Sequence, residues 1–250
     1  MTGSKLMTSA QAINDALRVL GEKDENVILF GEGILDHSAF FGTTKNLEEV
    51  YEHERIFEMP LSENALCGVA IGAAIAGKKS IISFHRVEFA LLALEQIINN
   101  AAKMYYGSNG EHTCPIVIRL IVGRGWGQGP AHSQSLETVF SSIPGLKVIA
   151  PVFPLDYKGM LISATEDLNP VVCIEHRWTH SLKGYVPPGY FKENINGPKR
   201  ISSGDHCTIV ATSYSVIEAL HAVEILKGFE IFIDLIDIRV LNPLDERIIV

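Results

Sequence analysis

The chain has 250 residues and a formal net charge of −8 at pH 7, with hydrophobic residues at 47% and charged ones at 20%. That length suits one large or two small domains, and the composition excludes collagen-like, disordered and disulfide-scaffold classes. An acidic balance without a basic stripe to neutralise phosphates argues against nucleic acid as a partner.

Thr8 or Ser9 is placed to cap a first helix in which Ile13, Ala16, Leu17 and Leu20 share a face, with Gly21 closing its end. Val27–Phe30 then reads as a strand. Ile56–Met59 leads to a helix starting near Ser62, and Ser80–Phe84 leads to a long helix from Ala90 to Tyr106. Ile116–Ile121 and Lys147–Ala150 are further strands, followed by a helix over Leu155–Thr165 and a strand at Val171–Ile174. Short β-branched runs spaced by helices predict an α/β fold, a mostly parallel sheet covered by helices on both faces.

The pattern stops between His176 and Asp205, where Pro187-Pro188-Gly189, Gly197-Pro198 and Ser202-Ser203-Gly204 are turn chemistry. The predicted organisation is a domain over residues 1–185, a linker at 186–204, and a second, partial α/β domain over 205–250 with strands near Thr208–Ala211 and Ile231–Leu235 around a helix at Ser215–Lys227. So short a second unit is expected to be truncated, or supported by the first domain or another chain.

The apolar stretch from Ala65 to Ala76, broken by Gly68 and Gly72, falls well under the roughly 20 residues a membrane helix needs. The N-terminus lacks the pattern of a secretory signal. Cys67, Cys114, Cys173 and Cys207 are too widely spaced for a zinc site or disulfide framework. A location in the cytoplasm or an organelle matrix, with reduced thiols mostly in the core, is the expectation.

Three segments carry candidate chemistry. In Met59-Pro60-Leu61-Ser62-Glu63, Pro60 fixes the backbone leaving a strand, Ser62 can cap the next helix, and Glu63 falls where that helix turns apolar. A carboxyl group there either favours the helix N-terminus or exchanges a proton with a ring nitrogen. The loop from Gly123 to Gln134 has four glycines in seven residues, so its backbone can approach a ligand, and His132 near its end is a candidate acid–base group. At His85-Arg86-Val87-Glu88-Phe89, Phe89 is core or ligand platform, while His85 and Arg86 expect something polar at a strand end.

With these segments, Gly31-Glu32, Pro60-Leu61-Ser62-Glu63, Leu94 to Lys103, His132-Ser133-Gln134-Ser135, Pro144 to Val148 and Asn169-Pro170-Val171-Val172 occur in order. Together they resemble the beta subunit of the thiamine-diphosphate-dependent 2-oxo acid dehydrogenase first component, the group of pyruvate, branched-chain and acetoin dehydrogenases. The resemblance implies a pyrimidine-binding domain followed by a smaller transketolase-type C-terminal domain. It implies that Glu63 holds N1′ of the cofactor aminopyrimidine, that Phe89 stacks on that ring, and that His132 faces the reacting carbon. A potassium site would map to Ile116, Ala164, Thr165, Asp167 and Asn169, mainly through backbone carbonyls.

The Gly-Asp-Gly…Asn pattern that holds the diphosphate and Mg²⁺ in that superfamily is absent, so a partner alpha subunit is implied, in an α2β2 assembly that serves a lipoyl acyltransferase. Ser83, His85, Arg86, Arg124, Trp126 and the Glu175-His176-Arg177-Trp178 run depart from the family pattern, and the family normally continues about 75 residues beyond Val250. His85 and Arg86 are therefore read as a substrate pocket for something acidic or phosphorylated. A carboligase subunit and a non-catalytic truncated paralogue stay open as alternatives.

Overall fold

The computed structural model describes residues 3–36 and 38–249. Strand β1 (Lys5–Thr8) leads into helix α1 (Ser9–Lys23), and then come β2 (Val27–Gly31), β3 (Ile56–Glu58), α2 (Glu63–Ile75), β4 (Lys79–Phe84), β5 (Ile116–Val122), α3 (Glu137–Ser141), β6 (Lys147–Ile149), α4 (Pro154–Thr165) and β7 (Val171–His176). The remainder comprises β8 (Lys183–Val186), β9 (Lys199–Ser202), β10 (Cys207–Ala211), α5 (Ser215–Lys227), β11 (Ile233–Asp237) and β12 (Val240–Asn242). The main sheet has the order β12-β6-β7-β5-β4-β2-β3. Only β12 runs antiparallel in it. A three-stranded sheet, β10-β11-β9, forms the second unit, and β1 pairs with β8.

Because successive strand residues point to opposite faces, each central strand feeds two cores. Ile82, Ile118 and Val172 join Leu66, Ala70 and Ile97 on one face. Ile81, Val117 and Val171 join Ile13, Leu17, Tyr157 and Leu161 on the other. The two-layer burial explains why these runs are continuously apolar.

Thr8 caps α1 through a reciprocal pair with Gln11. Gly21 does not end the helix, which runs on to Lys23. Its glycine serves packing instead, since a Cβ there would lie 2.6 Å from the Tyr51 ring. The expected long helix from Ala90 to Tyr106 is broken up: a 3₁₀ segment spans Phe89–Ala93, a π-helical turn spans Gln96–Ala101, and a separate turn follows at Met104–Gly107. The N–H of Ala102 reaches the Ile97 carbonyl at 2.9 Å. Helical periodicity alone does not reveal such a bulge.

Gly145 closes on this helix, with φ +93° and an ideal Cβ position only 2.0 Å from the Ala102 carbonyl oxygen. A side chain there meets both a left-handed backbone and a backbone clash. Gly145→Ala is expected to cost at least about 2 kcal/mol, read as a lowered urea midpoint with an unchanged slope.

Within 186–204, read from the sequence as linker, Lys199–Ser202 forms β9 and pairs with β11. The second unit leans on the first. Val216 and Ile217 pack with Val152, Phe153 and Leu182, while β12 adds to β6 with Asn242 Nδ2 donating to the Leu146 carbonyl at 2.6 Å. Asp156 of α4 binds Arg239 at 2.6 Å and Lys199 at 2.8 Å across the junction. The thiols are mostly in the core, as expected: Cys67, Cys114 and Cys173 are buried and Cys207 is exposed.

Asp237 lies fully buried at this junction, with neither carboxylate oxygen hydrogen-bonded. Burial, with Asp156 nearby, pushes its carboxyl up to about 7, against the pull of Arg239 and Lys199. The folded chain thus holds a proton that the unfolded chain releases near pH 4, so the associated stability is complete below about pH 4 and is lost as pH rises through 7. Asp237→Asn is expected to flatten the fall in Tm between pH 5 and pH 8; an unchanged fall would refute this origin.

Candidate active site at the carboxyl ends of the parallel strands

In parallel α/β sheets ligands sit beyond the carboxyl ends of the strands, and the candidate residues gather there. Glu32 directly follows β2 and is 3% exposed; Glu63 opens α2 just after β3 and is 8% exposed. Burial first, then the Glu63 charge, pushes the Glu32 carboxyl up to about 7. Its Oε1 is buried without a hydrogen-bond partner. Near neutral pH the Glu32 carboxyl is thus poised between its protonated and ionised forms. Ser62 departs from expectation, since its side chain makes no cap bond and only its carbonyl accepts, from Leu66 N–H at 2.9 Å.

The first turn of α2 is fastened to the segment that Phe89 opens. Asn64 Nδ2 donates to the Leu92 carbonyl at 3.4 Å, and Gln96 Nε2 donates to Asn64 Oδ1 at 3.3 Å. Phe89 in turn meets His132 edge to face, with ring centroids 5.4 Å apart. Glu88 Oε1 accepts the Gln134 N–H at 2.6 Å, tying the glycine loop to the same segment two residues beyond His132. The structure therefore brings Glu63, Phe89 and His132 around one face, and adds Glu32.

His85 and Arg86, directly after β4, sit beside this group. His85 packs on Phe40 at 5.0 Å and Phe41 at 6.0 Å, and burial lowers its proton affinity, against Asp36 and Glu58. Both phenylalanines have left-handed backbones, φ 45° and 60°, a strain of about 1–3 kcal/mol each of the kind found at functional sites. Arg86 is 7% exposed; one nitrogen is held by the Gln128 side chain of the glycine loop, and the guanidinium lies 5.0 Å from the Trp126 ring centroid.

Beneath lies a buried network. Arg119 of β5 forms a two-pronged pair with Glu175 of β7 at 2.6 and 3.0 Å, and also donates to Ser83 Oγ and Thr43 Oγ1, each at 3.1 Å. His180 Nε2 contacts Glu175 at 3.1 Å. Burial alone would raise the Glu175 carboxyl, but Arg119 and His180 hold it down at about 2.

The residues implied for potassium surround one turn. Ala164 accepts the Asp167 N–H at 3.2 Å, Cys114 N–H reaches the Leu168 carbonyl at 3.0 Å, and Ile116 begins β5 just beyond. Thr165 Oγ1 donates to the Leu161 carbonyl, and the Asp167 carboxylate holds Lys147 at 2.7 Å and the Asn169 N–H at 2.9 Å. Among the described residues no group of three or more His, Cys, Asp or Glu is arranged to bind a metal, and no helix is long and apolar enough to cross a membrane.

On the other side of the glycine loop, Ser133 and Arg124 line a cleft of about 690 Å³ that runs to Tyr214 and Leu241 of the second unit. His176, stacked on Tyr214 at 5.1 Å, also lines it, and burial with His180 and Arg124 lowers its imidazole to about 4.

Sequence reasoning did not assign roles to Glu32, Arg119, Gln128 or Arg177. Arg119 had a legible signal, a lone cation in the middle of an apolar strand, which demands a buried partner. The others become neighbours only when separate strands align.

This geometry occurs in a known setting. The chain belongs to the transketolase pyrimidine-binding family: the model "Transketolase, pyrimidine binding domain" matches residues 5–180, and "Transketolase, C-terminal domain" matches 198–250. It is similar to the 2-oxoisovalerate dehydrogenase subunit beta of Bacillus subtilis (strain 168), 37% identical over 246 residues, covering 98% of this chain and 75% of that one. It is also similar to the pyruvate dehydrogenase E1 component subunit beta of Acholeplasma laidlawii, 36% identical over 245 residues with the same coverages. A solved structure described as a split-gene transketolase in an inactive beta4 tetramer shares the fold, with a TM-score of 0.72 at 21% identity, covering 93% of this chain and 71% of that one.

Proposed function

We propose that this chain is the pyrimidine-binding beta subunit of a thiamine-diphosphate-dependent 2-oxo acid dehydrogenase. The observation that carries the reading is the buried Glu32–Glu63 pair at the strand ends, beside Phe89 and His132. An orphaned acceptor in a site with a free carboxylate and an aromatic face suits a flat, basic heterocycle.

Thiamine diphosphate, when bound, supplies the carbon nucleophile that makes loss of CO₂ from a 2-oxo acid possible. Glu63 holds a proton at the ring nitrogen N1′ of the pyrimidine, and Glu32 sets the charge beside it. Phe89 offers its face to the heterocycle, a contact worth about 0.5–1.5 kcal/mol beyond burial. His132, braced against Phe89, donates or accepts a proton at the substrate's reacting carbon or oxygen.

Among the described residues no group of three or more His, Cys, Asp or Glu is arranged to bind a metal, so a partner alpha subunit is assigned to hold the diphosphate and its Mg²⁺, as an α2β2 assembly. The surface supports a partner. α2 exposes Val69 and Ile75, Leu61 just before it is exposed, and so is Leu92, whose carbonyl accepts from Asn64; exposed apolar side chains beside a site mark an interaction surface. The turn at residues 164–169 beside Ile116 is assigned to potassium through carbonyl oxygens, the ligands such a hard cation prefers. A lipoyl acyltransferase is the assigned acyl acceptor, and the unpaired thiols agree with the cytoplasm or an organelle matrix.

A transketolase-like carboligase is the second reading, favoured by Arg86, because condensation with a phosphorylated aldehyde also calls for a cation. Co-expression with the alpha chain and calorimetry with thiamine diphosphate and Mg²⁺ test the site. Binding by the pair is expected. No binding would defeat the assignment in favour of a non-catalytic paralogue, and production of a ketol in place of an acyl-lipoyl product would favour the carboligase.

A further inference from the structure

Strands β4, β5 and β7 are neighbours in the sheet, run in parallel, and each releases an arginine within two residues of its carboxyl end: Arg86, Arg124 and Arg177. None of the three takes part in an ion pair among the described residues, although acids exceed bases in this chain by eight. Arg86 is more than nine-tenths buried, and its Nη1 is buried without a partner. Glu88, the carboxylate that most influences it, is already engaged by the Gln134 N–H.

The Arg177 guanidinium lies 4.5 Å over the Phe41 ring. The Trp126 ring on which Arg86 lies and the Arg177 Cβ both border Gly123, 2.7 and 3.4 Å from where a Cβ would stand there, and burial first, then the Arg86 charge, lowers the proton affinity of Arg177. Neutral neighbours hold both in place: Gln128 and Trp126 on one, Phe41 on the other. Two like charges kept together and partly dehydrated are unfavourable until an anion joins them. A guanidinium fork matches carboxylate and phosphate oxygens equally well.

We propose that Arg86 and Arg177 form an anion subsite that receives the far end of the substrate, so that the preferred substrate is a 2-oxo acid carrying a second anionic group, carboxylate or phosphate. This rests on the proposed function and specifies its substrate class. His85, between Phe40 and Phe41 on the same strand end, forms the wall of the subsite rather than a third charge. An uncharged aliphatic tail would leave both guanidinium groups dehydrated and unpaired, which is the physical basis of the discrimination.

The test uses the assembled complex with the alpha subunit. Its kcat/KM is compared for 2-oxobutyrate, 2-oxoglutarate and a 2-oxo acid ending in a phosphate ester, which separates a carboxylate-selective from a phosphate-selective site. At least one anionic substrate is expected to exceed 2-oxobutyrate by about 10-fold or more. Arg86→Met and Arg177→Met are each expected to lower that value by roughly 30-fold or more, while Arg177→Met changes the value for 2-oxobutyrate less than about threefold.

Calorimetry with succinate and with inorganic phosphate reads the subsite without turnover: the unsubstituted complex binds one of them and the Arg177→Met complex does not. If Arg86→Met does not assemble, the half-buried Arg177 position carries the test. Preference for 2-oxobutyrate, equal losses on every substrate, or binding of neither anion would overturn the subsite; the last result is what a partner carboxylate already seated on the arginines would give. Thiamine diphosphate binding measured on the same samples distinguishes this failure, in which the cofactor still binds, from failure of the active-site reading itself.

Discussion

Glu63→Gln is expected to lower kcat of the assembled enzyme by roughly 10²–10⁴-fold, the range for loss of a positioned acid–base group. The amide keeps the volume and one acceptor but neither gives up nor takes a proton. Glu63 is buried beside Glu32, whose carboxyl stands at about 7. KM and the calorimetric affinity for thiamine diphosphate are expected to change far less than kcat, since the substitution removes a proton transfer rather than the cavity. Wild-type turnover by Glu63→Gln would exclude the assigned role. Glu32→Gln is the companion measurement: removing a group that titrates near 7 is expected to displace the corresponding limb of the kcat profile with pH.

The second large effect is on stability. Glu175→Gln leaves the guanidinium of Arg119, fully buried in β5, without its counter-charge. Breaking a buried pair from one side costs about 3–5 kcal/mol, which for a chain of this size is a fall in Tm of about 6–20 °C. A combined Arg119→Met, Glu175→Leu variant is expected to recover most of that loss, because no charge is then left uncompensated. The pH dependence follows from the direction of the shift. Glu175 is held at about 2, below the unfolded value near 4.5, so its contribution is complete above pH 4.5 and is lost as pH falls through 2. A Glu175→Gln chain with an unchanged Tm would show that the network is energetically idle.

The same network explains the position of the arginine subsite. Arg119 donates to Ser83, two residues before His85 and three before Arg86, and binds Glu175, two residues before Arg177. The floor of the subsite is thus a cross-link between β4, β5 and β7, which holds their carboxyl ends at fixed spacing. Glu175→Gln is for this reason also expected to weaken succinate or phosphate binding, an effect that Gly145→Ala, packed against Ala102 just past the π-helical turn, should not reproduce.

Local patterns carried much of this molecule. Ile81-Ile82, Val117-Ile118 and Val171-Val172 announce strands buried on both sides, because only a two-faced core can accept consecutive apolar residues. The Thr8 cap needs only its own turn, and Glu63 could be singled out because a carboxylate at the start of an apolar helix is unusual within a single segment. Features that depend on another part of the chain were misjudged. Ser62 forgoes its cap bond, Gly21 stays inside the helix and leaves room for the Tyr51 ring, and the Phe89–Gly107 stretch takes up 3₁₀ and π turns where it packs on α2 and Gly145.

Taken by itself, the amino-acid order determined the alternation of strands and helices, the apolar interior, and the presence of an acid, an aromatic ring and a histidine in three separate motifs. The meeting of those motifs, the raised carboxyl of Glu32, and the pairing of Arg86 with Arg177 were decided by the folded sheet alone. Burial and electrostatic influence act through distance in space, and the groups after β2 and β3, or after β4 and β7 on either side of β5, are gathered at one edge only when strands far apart in the chain join one sheet.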